Sequence, residues 1–367
     1  MNTVKILHTA DLHLDCRFSG LPVEKSKIRR QELKNSFADA LDTFKDAQIV
    51  LICGDIFDNT SFMKGTVTFL ASVFSKYPDT TFFITMGNHD PYRSRAGEML
   101  KSFMPDNVVV FSDKAEYMEL DELGVRVYGM SFSEKNEYEG FMNEFKVIDD
   151  DYINILMLHG DLVGRLSESK YNPLTVEQIE QSGFDYIALG HVHNCDGIHL
   201  AGNTYYAYSG THEPHGFDEC GPKGVIYGIV GKGMCRLSLK STALRCYVDT
   251  QIDITSARTQ EDVIAMINSK ITDRDFLYRI NLVGTAHDSV SLDIGLIESM
   301  ADAFYIRVSD STHHNYNLEA ISGETGLKGY VAQNVLKELK ICSDADVDTV
   351  CAASDYLFEL MDKHTCV

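Results

Sequence analysis

Short, almost wholly apolar runs recur along the first part of the chain, and each stops at a polar cluster. Val4–His8 (VKILH), Ile49–Cys53 (IVLIC) and Phe82–Met86 (FFITM) are of strand length and read as buried strands. The stretches between them follow another period. From Glu24 to Gln48 the apolar residues Ile28, Leu33, Phe37, Leu41 and Phe44 suit an amphipathic helix, and a second helical stretch lies near Lys64–Lys76. Strand, helix, strand, helix, strand predicts an α/β fold.

From Val108 onward the pattern is richer in strands. Val125–Phe132, Ile153–Leu158, Tyr186–Leu189, Thr204–Tyr208, Val225–Val230 and Met234–Leu239 all fit, with Glu122-Leu123-Gly124 and Gly231-Lys232-Gly233 as turn signals. Sheets built from such strands need a second layer, so we expect two sheets packed together with helices outside, an α/β/β/α sandwich. A boundary is expected near Leu239–Arg245. Beyond it, strand-like Tyr247–Ile254, Leu277–Val283 and Phe304–Val308 alternate with helix-like Gln260–Lys270 and Ile294–Ala303, the pattern of a small α/β cap. Glu324–Lys340 and Asp346–Lys363 read as two tail helices. The expected domains are therefore 1–240, 245–320 and 321–367 of a 367-residue chain.

Charge, cysteine usage and the lengths of the apolar runs narrow the reading. The formal net charge is −21, which disfavours a protein that grips DNA on its own, because such proteins show a basic face. A local basic patch or a partner could still supply the attraction. The cysteine count is odd, nine, and no CxxC pair occurs, so reduced thiols of a cytoplasmic protein are expected. No apolar leader and no run of roughly 20 apolar residues is present, so no membrane association is expected.

The candidate chemistry lies where the apolar runs end. Asp11-Leu12-His13, Gly54-Asp55-Ile56-Phe57-Asp58, Gly87-Asn88-His89-Asp90, His159-Gly160-Asp161 and Gly190-His191-Val192-His193 each follow a strand candidate. In open α/β sheets ligands bind beyond strand ends, so five such clusters should converge on one edge. Carboxylates and imidazoles without thiolates suit a pair of manganese, iron or zinc ions rather than a structural zinc. Asp55 is the natural bridge, since a carboxylate can span two ions about 3.5–4 Å apart. The glycines before Asp55, Asn88 and His191 are expected to allow sharp turns. Alternation along an extended segment would put His191 and His193 on one side.

Taken in this order, the five motifs resemble the calcineurin-like metallophosphoesterase superfamily. Within it, HTADLHLD, GDIFD, GNHDP and GHVH, together with SGTHEPHGFDECGPKG at Ser209–Gly224, are similar to the SbcD/YhaO-like DNA repair nucleases. The resemblance implies that Asp11, His13, Asp55 and His193 bind one metal and that Asp55, Asn88, His159 and His191 bind the other, with manganese expected and magnesium also open. It implies that His89 sits beside the scissile phosphate, oriented by Asp90, and that the enzyme is an exo- or endonuclease working with an SbcC/YhaN-like ATPase subunit, in a family whose members often dimerise. A phosphatase or phosphodiesterase for small molecules is the alternative on the same fold. Asp58 matches the bacterial style of the motif, whereas Arg17 and His215 depart from close relatives at positions that bear on substrate handling.

Other features have plainer readings. The basic cluster Lys25, Lys27, Arg29 and Arg30 reads as a solvated helix face, with phosphate contact as the alternative. His313-His314 reads as surface and Asp149-Asp150-Asp151 as a solvated loop. The apolar positions of the tail helices suit docking on the body or a partner.

Overall fold

The computed structural model describes residues 2–58, 64–148, 151–287, 290–314, 316–343 and 346–364; Asp149 and Asp150 lie outside them. The chain divides into two compact units, Met1–Cys246 and Tyr247–Val367.

In chain order the first unit holds β1 (Thr3–Thr9), α1 (Val23–Thr43), β2 (Ile49–Cys53), α2 (Lys64–Phe74), β3 (Thr81–Thr85), α3 (Arg95–Phe103), β4 (Val108–Val110), β5 (Glu116–Leu120), β6 (Val125–Gly129), β7 (Ile153–His159), α4 (Val176–Ser182), β8 (Tyr186–Gly190), β9 (His199–Ala201), β10 (Thr204–Tyr208), β11 (Gly224–Gly231) and β12 (Met234–Ser241). Among the described residues these strands form two six-stranded sheets, ordered β12-β11-β1-β2-β3-β4 and β5-β6-β7-β8-β10-β9. Strands β1 to β4 run parallel, as do β6, β7, β8 and β10, so their carboxyl ends share one edge in each sheet.

Side-chain alternation builds the layers. Ile49, Leu51 and Cys53 of β2 pack with Val4, Ile6, Phe83, Ile155, Met157 and Ala188 in a core between the sheets. The intervening Val50 and Ile52 pack outward under Leu33, Phe37 and Leu41 of α1 and Leu70 and Phe74 of α2. Leu156, Leu158, Ile187 and Leu189 face the other way, beneath Phe141 and Ile179. This is the expected α/β/β/α sandwich, and burial on both faces is why the strand runs are uninterruptedly apolar.

Three local differences have physical causes. The strand expected over Val125–Phe132 ends at Gly129, because Ser131 and Phe132 leave the ladder for the end of β3: Phe132 N donates to Met86 O at 3.0 Å and Met86 N to Ser131 Oγ at 2.9 Å. On α1 the buried stripe runs through Ser26, Arg29, Leu33, Phe37 and Leu41. Ile28 falls off that stripe and is exposed, while Arg29 is fully buried, which corrects its reading as part of a solvated face. The apolar pattern does not announce α4, although Thr175 and Gln178 form a reciprocal capping box at its start.

The second unit holds β13 (Tyr247–Asp253), α5 (Gln260–Lys270), β14 (Leu277–Val283), β15 (Thr285–Ala286), α6 (Ile294–Met300), β16 (Tyr305–Asp310), β17 (His313–His314), α7 (Leu318–Ser322), α8 (Leu327–Glu338) and α9 (Val347–His364). β13, β14 and β16 form a parallel sheet, and Ile252, Tyr278, Ile280 and Leu282 pack with Val263 and Ile267 of α5 and Ile297 of α6. Among the described residues no helix is long and apolar enough to cross a membrane.

Candidate metal centre

The loops after β1, β2 and β3 lie side by side. Asp11 N donates to Gly54 O, His13 N to Asp55 O and Leu14 N to Ile56 O, all at 2.9–3.0 Å. The second sheet joins this edge through His159, the last residue of β7, whose Nδ1–H donates to Cys53 O at 3.0 Å. That bond leaves His159 Nε2 directed at Asn88 Oδ1, 3.0 Å away, and at Asp55 Oδ2, 3.4 Å away. His191 Nδ1 lies 3.2 Å from both Asn88 Oδ1 and His159 Nε2, while its Nε2 meets Asp161 Oδ1 at 3.1 Å.

The seven side chains expected as ligands thus gather into two adjacent groups. Donor atoms of Asp11, His13 and His193 lie within 4.8 Å of one another, as do those of Asp55, His159 and His191. The groups meet where His13 Nε2 stands 3.9 Å from Asp55 Oδ2. Asp11, Asp55, His159, His13 and Asn88 are buried; His191 and His193 are partly open.

Close approach, more than turning, explains two of the three glycines. Gly54 does need its positive φ of 85°. At Gly87 a Cβ would stand 2.2 Å from Asp55 Oδ1, and at Gly190 it would stand 1.8 Å from Cys53 O. Four donor residues themselves hold left-handed or strained backbone: Asp11 (φ 52°), His13 (φ 40°), Asp55 (φ 51°) and His191 (φ 103°). The GHVH segment is therefore a bend rather than the extended segment expected, and His191 and His193 enter different groups.

Charges along this edge act on one another at close range. Burial works against ionising Asp55, yet His159 and His13 outweigh it and hold the carboxyl far below the usual range. Burial likewise opposes a charge on His159, but Asp55 and Asp11 push its imidazole up to about 9. Burial dominates at Asp11, raising its carboxyl, and at His13, lowering its imidazole.

His13 also tests whether cations fit. Among the described residues both its ring nitrogens are buried without a hydrogen-bond partner, an arrangement that costs about 1–3 kcal/mol unless something accepts the lone pair. Two carboxylates, an amide oxygen and imidazoles supply the donors that divalent ions of this class take. The residues fit the group.

His89 stands beside this set. Its backbone N donates to Asp55 Oδ1 at 2.9 Å, its Nδ1 meets Asp58 O at 2.6 Å, and its ring lies 5.0 Å from that of His13. The expected bond from Asp90 to His89 is replaced by this carbonyl. Asp90 turns inward, fully buried, and accepts from Ile56 N at 2.7 Å, Phe57 N at 3.2 Å and Gly87 N at 2.9 Å, tying two loops together. Burial, with Asp55 nearby, pushes its carboxyl up to about 6.

Asp161 and Glu219 carry no role legible in the sequence. Asp161 belongs to the HGD motif and carries His191. Glu219 lies in the Ser209–Gly224 segment and meets His193 Nδ1 at 2.5 Å. His215, noted as a departure, comes to the same place, its ring 5.4 Å from that of His13. Arg17 is exposed.

A donor set of this kind on the joined edge of a two-sheet sandwich is that of the metal-dependent hydrolases. Residues 4–195 match the family model described as calcineurin-like phosphoesterase, and the chain belongs to that family. It is 25% identical over 278 residues to the uncharacterized metallophosphoesterase YhaO of Bacillus subtilis (strain 168), spanning 73% of this chain and 67% of that one. It is 24% identical over 248 residues to a component of the nuclease SbcCD of Staphylococcus saprophyticus, spanning 58% of this chain and 64% of that one. The chain thus covers about two thirds of the length of these curated relatives. The crystal structure of TT1561 of Thermus thermophilus matches 65% of this chain and 99% of its own at 11% identity and a TM-score of 0.39.

Proposed function

We propose that the chain is a two-cation phosphodiester hydrolase acting on DNA, a nuclease component that works with an ATPase partner. The observation that carries the hydrolase reading is the junction of two donor groups at Asp55. Asp11, His13, Asp55 and His193 hold one cation, and Asp55, Asn88, His159 and His191 hold the other, with manganese the proposed metal. When bound, such a pair neutralises phosphodiester charge and makes hydroxide available near neutral pH.

The chain's own residues supply the rest. Cys53 O accepts from His159 Nδ1–H and so fixes the tautomer whose Nε2 lone pair faces Asn88 Oδ1 and Asp55 Oδ2, two further donors to the same cation. With His89 Nδ1–H donating to Asp58 O, His89 Nε2 is the atom left to meet the phosphate, and the imidazolium form of the ring carries there the second proton that stabilises its charge or passes to the leaving oxygen. Asp90 fixes the two loops that carry Asp55 and Asn88.

The nuclease role is supported by the name of the Staphylococcus relative. The net charge of −21 suits a protein whose affinity for DNA comes from its cations and a partner. The test is the purified protein with manganese, alone and with a coiled-coil ATPase, against linear duplex, single strand and a small chromogenic diester. Cleavage of DNA is expected. Turnover of the diester with none of DNA would assign the site to a small-molecule phosphodiesterase instead.

A further inference from the structure

The GHVH turn is gripped by the segment Ser209–Gly224 through both backbone and ring of His193. Thr211 N donates to His193 O at 3.2 Å, and the buried Lys223 Nζ donates to the same oxygen at 2.7 Å and to Asn194 Oδ1. On the ring side stands Glu219, its side chain 6% exposed. Its Oε1 lies 2.5 Å from His193 Nδ1. Its Oε2 accepts from His215 N at 2.8 Å and lies 3.0 Å from His215 Nδ1.

An ionised carboxylate only accepts hydrogen bonds. Glu219 therefore requires a proton on Nδ1 of both rings, and a neutral His193 then offers its lone pair at Nε2. The neighbouring histidine is held the other way round: Asp161 takes Nε2 of His191, leaving Nδ1 beside Asn88 and His159. Two histidines two residues apart are thus assigned opposite nitrogens by carboxylates from different loops. Burying a carboxylate is costly unless it is fully bonded, and Glu219 meets that requirement with these two histidines.

We propose that Glu219 is a positioning residue of the metal centre. Its carboxylate sets the tautomer in which His193 presents Nε2 to a cation, and it binds His215 to the same edge. This rests on the reading of His193 as a ligand, and the experiment separates the two. Removing a carboxylate partner of a metal-bound histidine typically lowers metal affinity about 10–100-fold.

The full chain, labelled with 15N at histidine and loaded with zinc, reports tautomers by long-range proton–nitrogen correlation. His193 is expected to carry its proton on Nδ1 and His191 on Nε2. A His193 ring protonated on Nε2 overturns the proposal without any variant having to fold. Manganese titration by calorimetry then compares Glu219→Gln and His193→Ala with the parent. Glu219→Gln should weaken one of the two sites about 10–100-fold and leave the other unchanged. If His193→Ala still binds two manganese ions, the ligand reading is wrong and the proposal falls with it. If it loses one while Glu219→Gln binds both as the parent does, the positioning role alone is refuted.

Discussion

Replacing Arg29 by methionine should destabilise the first unit out of proportion to the volume changed. The guanidinium is fully buried, with Nη1 at 2.8 Å from both Glu213 Oε1 and Glu32 Oε2, Nη2 donating to Pro214 O at 3.0 Å, and Cζ 5.3 Å from the Phe18 ring centre. Glu32 would keep Arg245, which bonds it at 2.6 Å. The cost falls on Glu213, which would keep backbone donors at Leu244 and Arg245 but lose its cation while still buried. Breaking a buried ion pair on one side costs about 3–5 kcal/mol, and the two remaining donors put the expected loss at about 3 kcal/mol. The chain has no tryptophan, so urea unfolding is followed by far-ultraviolet circular dichroism and fitted as two steps for two units. Burial already raises the Glu213 carboxyl against the pull of Arg29. Without Arg29 the folded chain would hold that proton more tightly still than the unfolded one. The stability supplied by protonation is present below the ordinary glutamate range and lost as pH rises through the raised value. The variant should therefore lose less at about pH 5 than at about pH 8. Adding Glu213→Gln should recover part of the loss. A loss under about 0.5 kcal/mol, an equal loss at both pH values, or a double variant weaker than the single would refute the argument.

Three further outcomes follow from the centre. His89→Ala should cut turnover by roughly 10²–10⁴ while elemental analysis still finds both cations; loss of metal would make His89 a ligand. Asp55→Asn should weaken both sites together, and undiminished occupancy of either would argue against a bridge. Asp90→Asn must set an amide –NH2 against at least one of the Ile56, Phe57 and Gly87 donors, so thermal unfolding should shift down by about 1–3 kcal/mol in stability; an unchanged melting temperature would show that the clamp contributes nothing.

The parts of this architecture that the sequence discloses are those in which local pattern and tertiary environment coincide. IVLIC and FFITM read as strands because layers cover them on both sides, and the polar clusters that follow them can be placed on one edge by topology alone. What stays hidden depends on partners without a sequence signature. Asp90 is adjacent in sequence to His89, which invites a pairing, whereas its partners are backbone N–H groups that include those of another loop. Glu219 meets a histidine 26 residues away, and nothing in PHGFDE announces which histidine. Ile28 and Arg29 differ by one position on a helix, and only the stripe completed by Ser26 and Leu33 shows that the arginine is the one turned inward. The glycines are plain in the sequence, but their reason at Gly87 and Gly190 is the nearness of an oxygen from another segment, which periodicity does not encode.

The contorted backbone at positions 11, 13, 55 and 191 bears on how this scaffold can be improved. Glycine would relax each of those angles, and asparagine those at 11, 13 and 55, so any search guided by folding robustness alone will drift toward them and erase the donors one at a time. A hardened version of this chain that keeps its chemistry must therefore be sought elsewhere, with these four positions frozen. A library left free at them should sort into sturdy, inert clones and working ones that melt earlier.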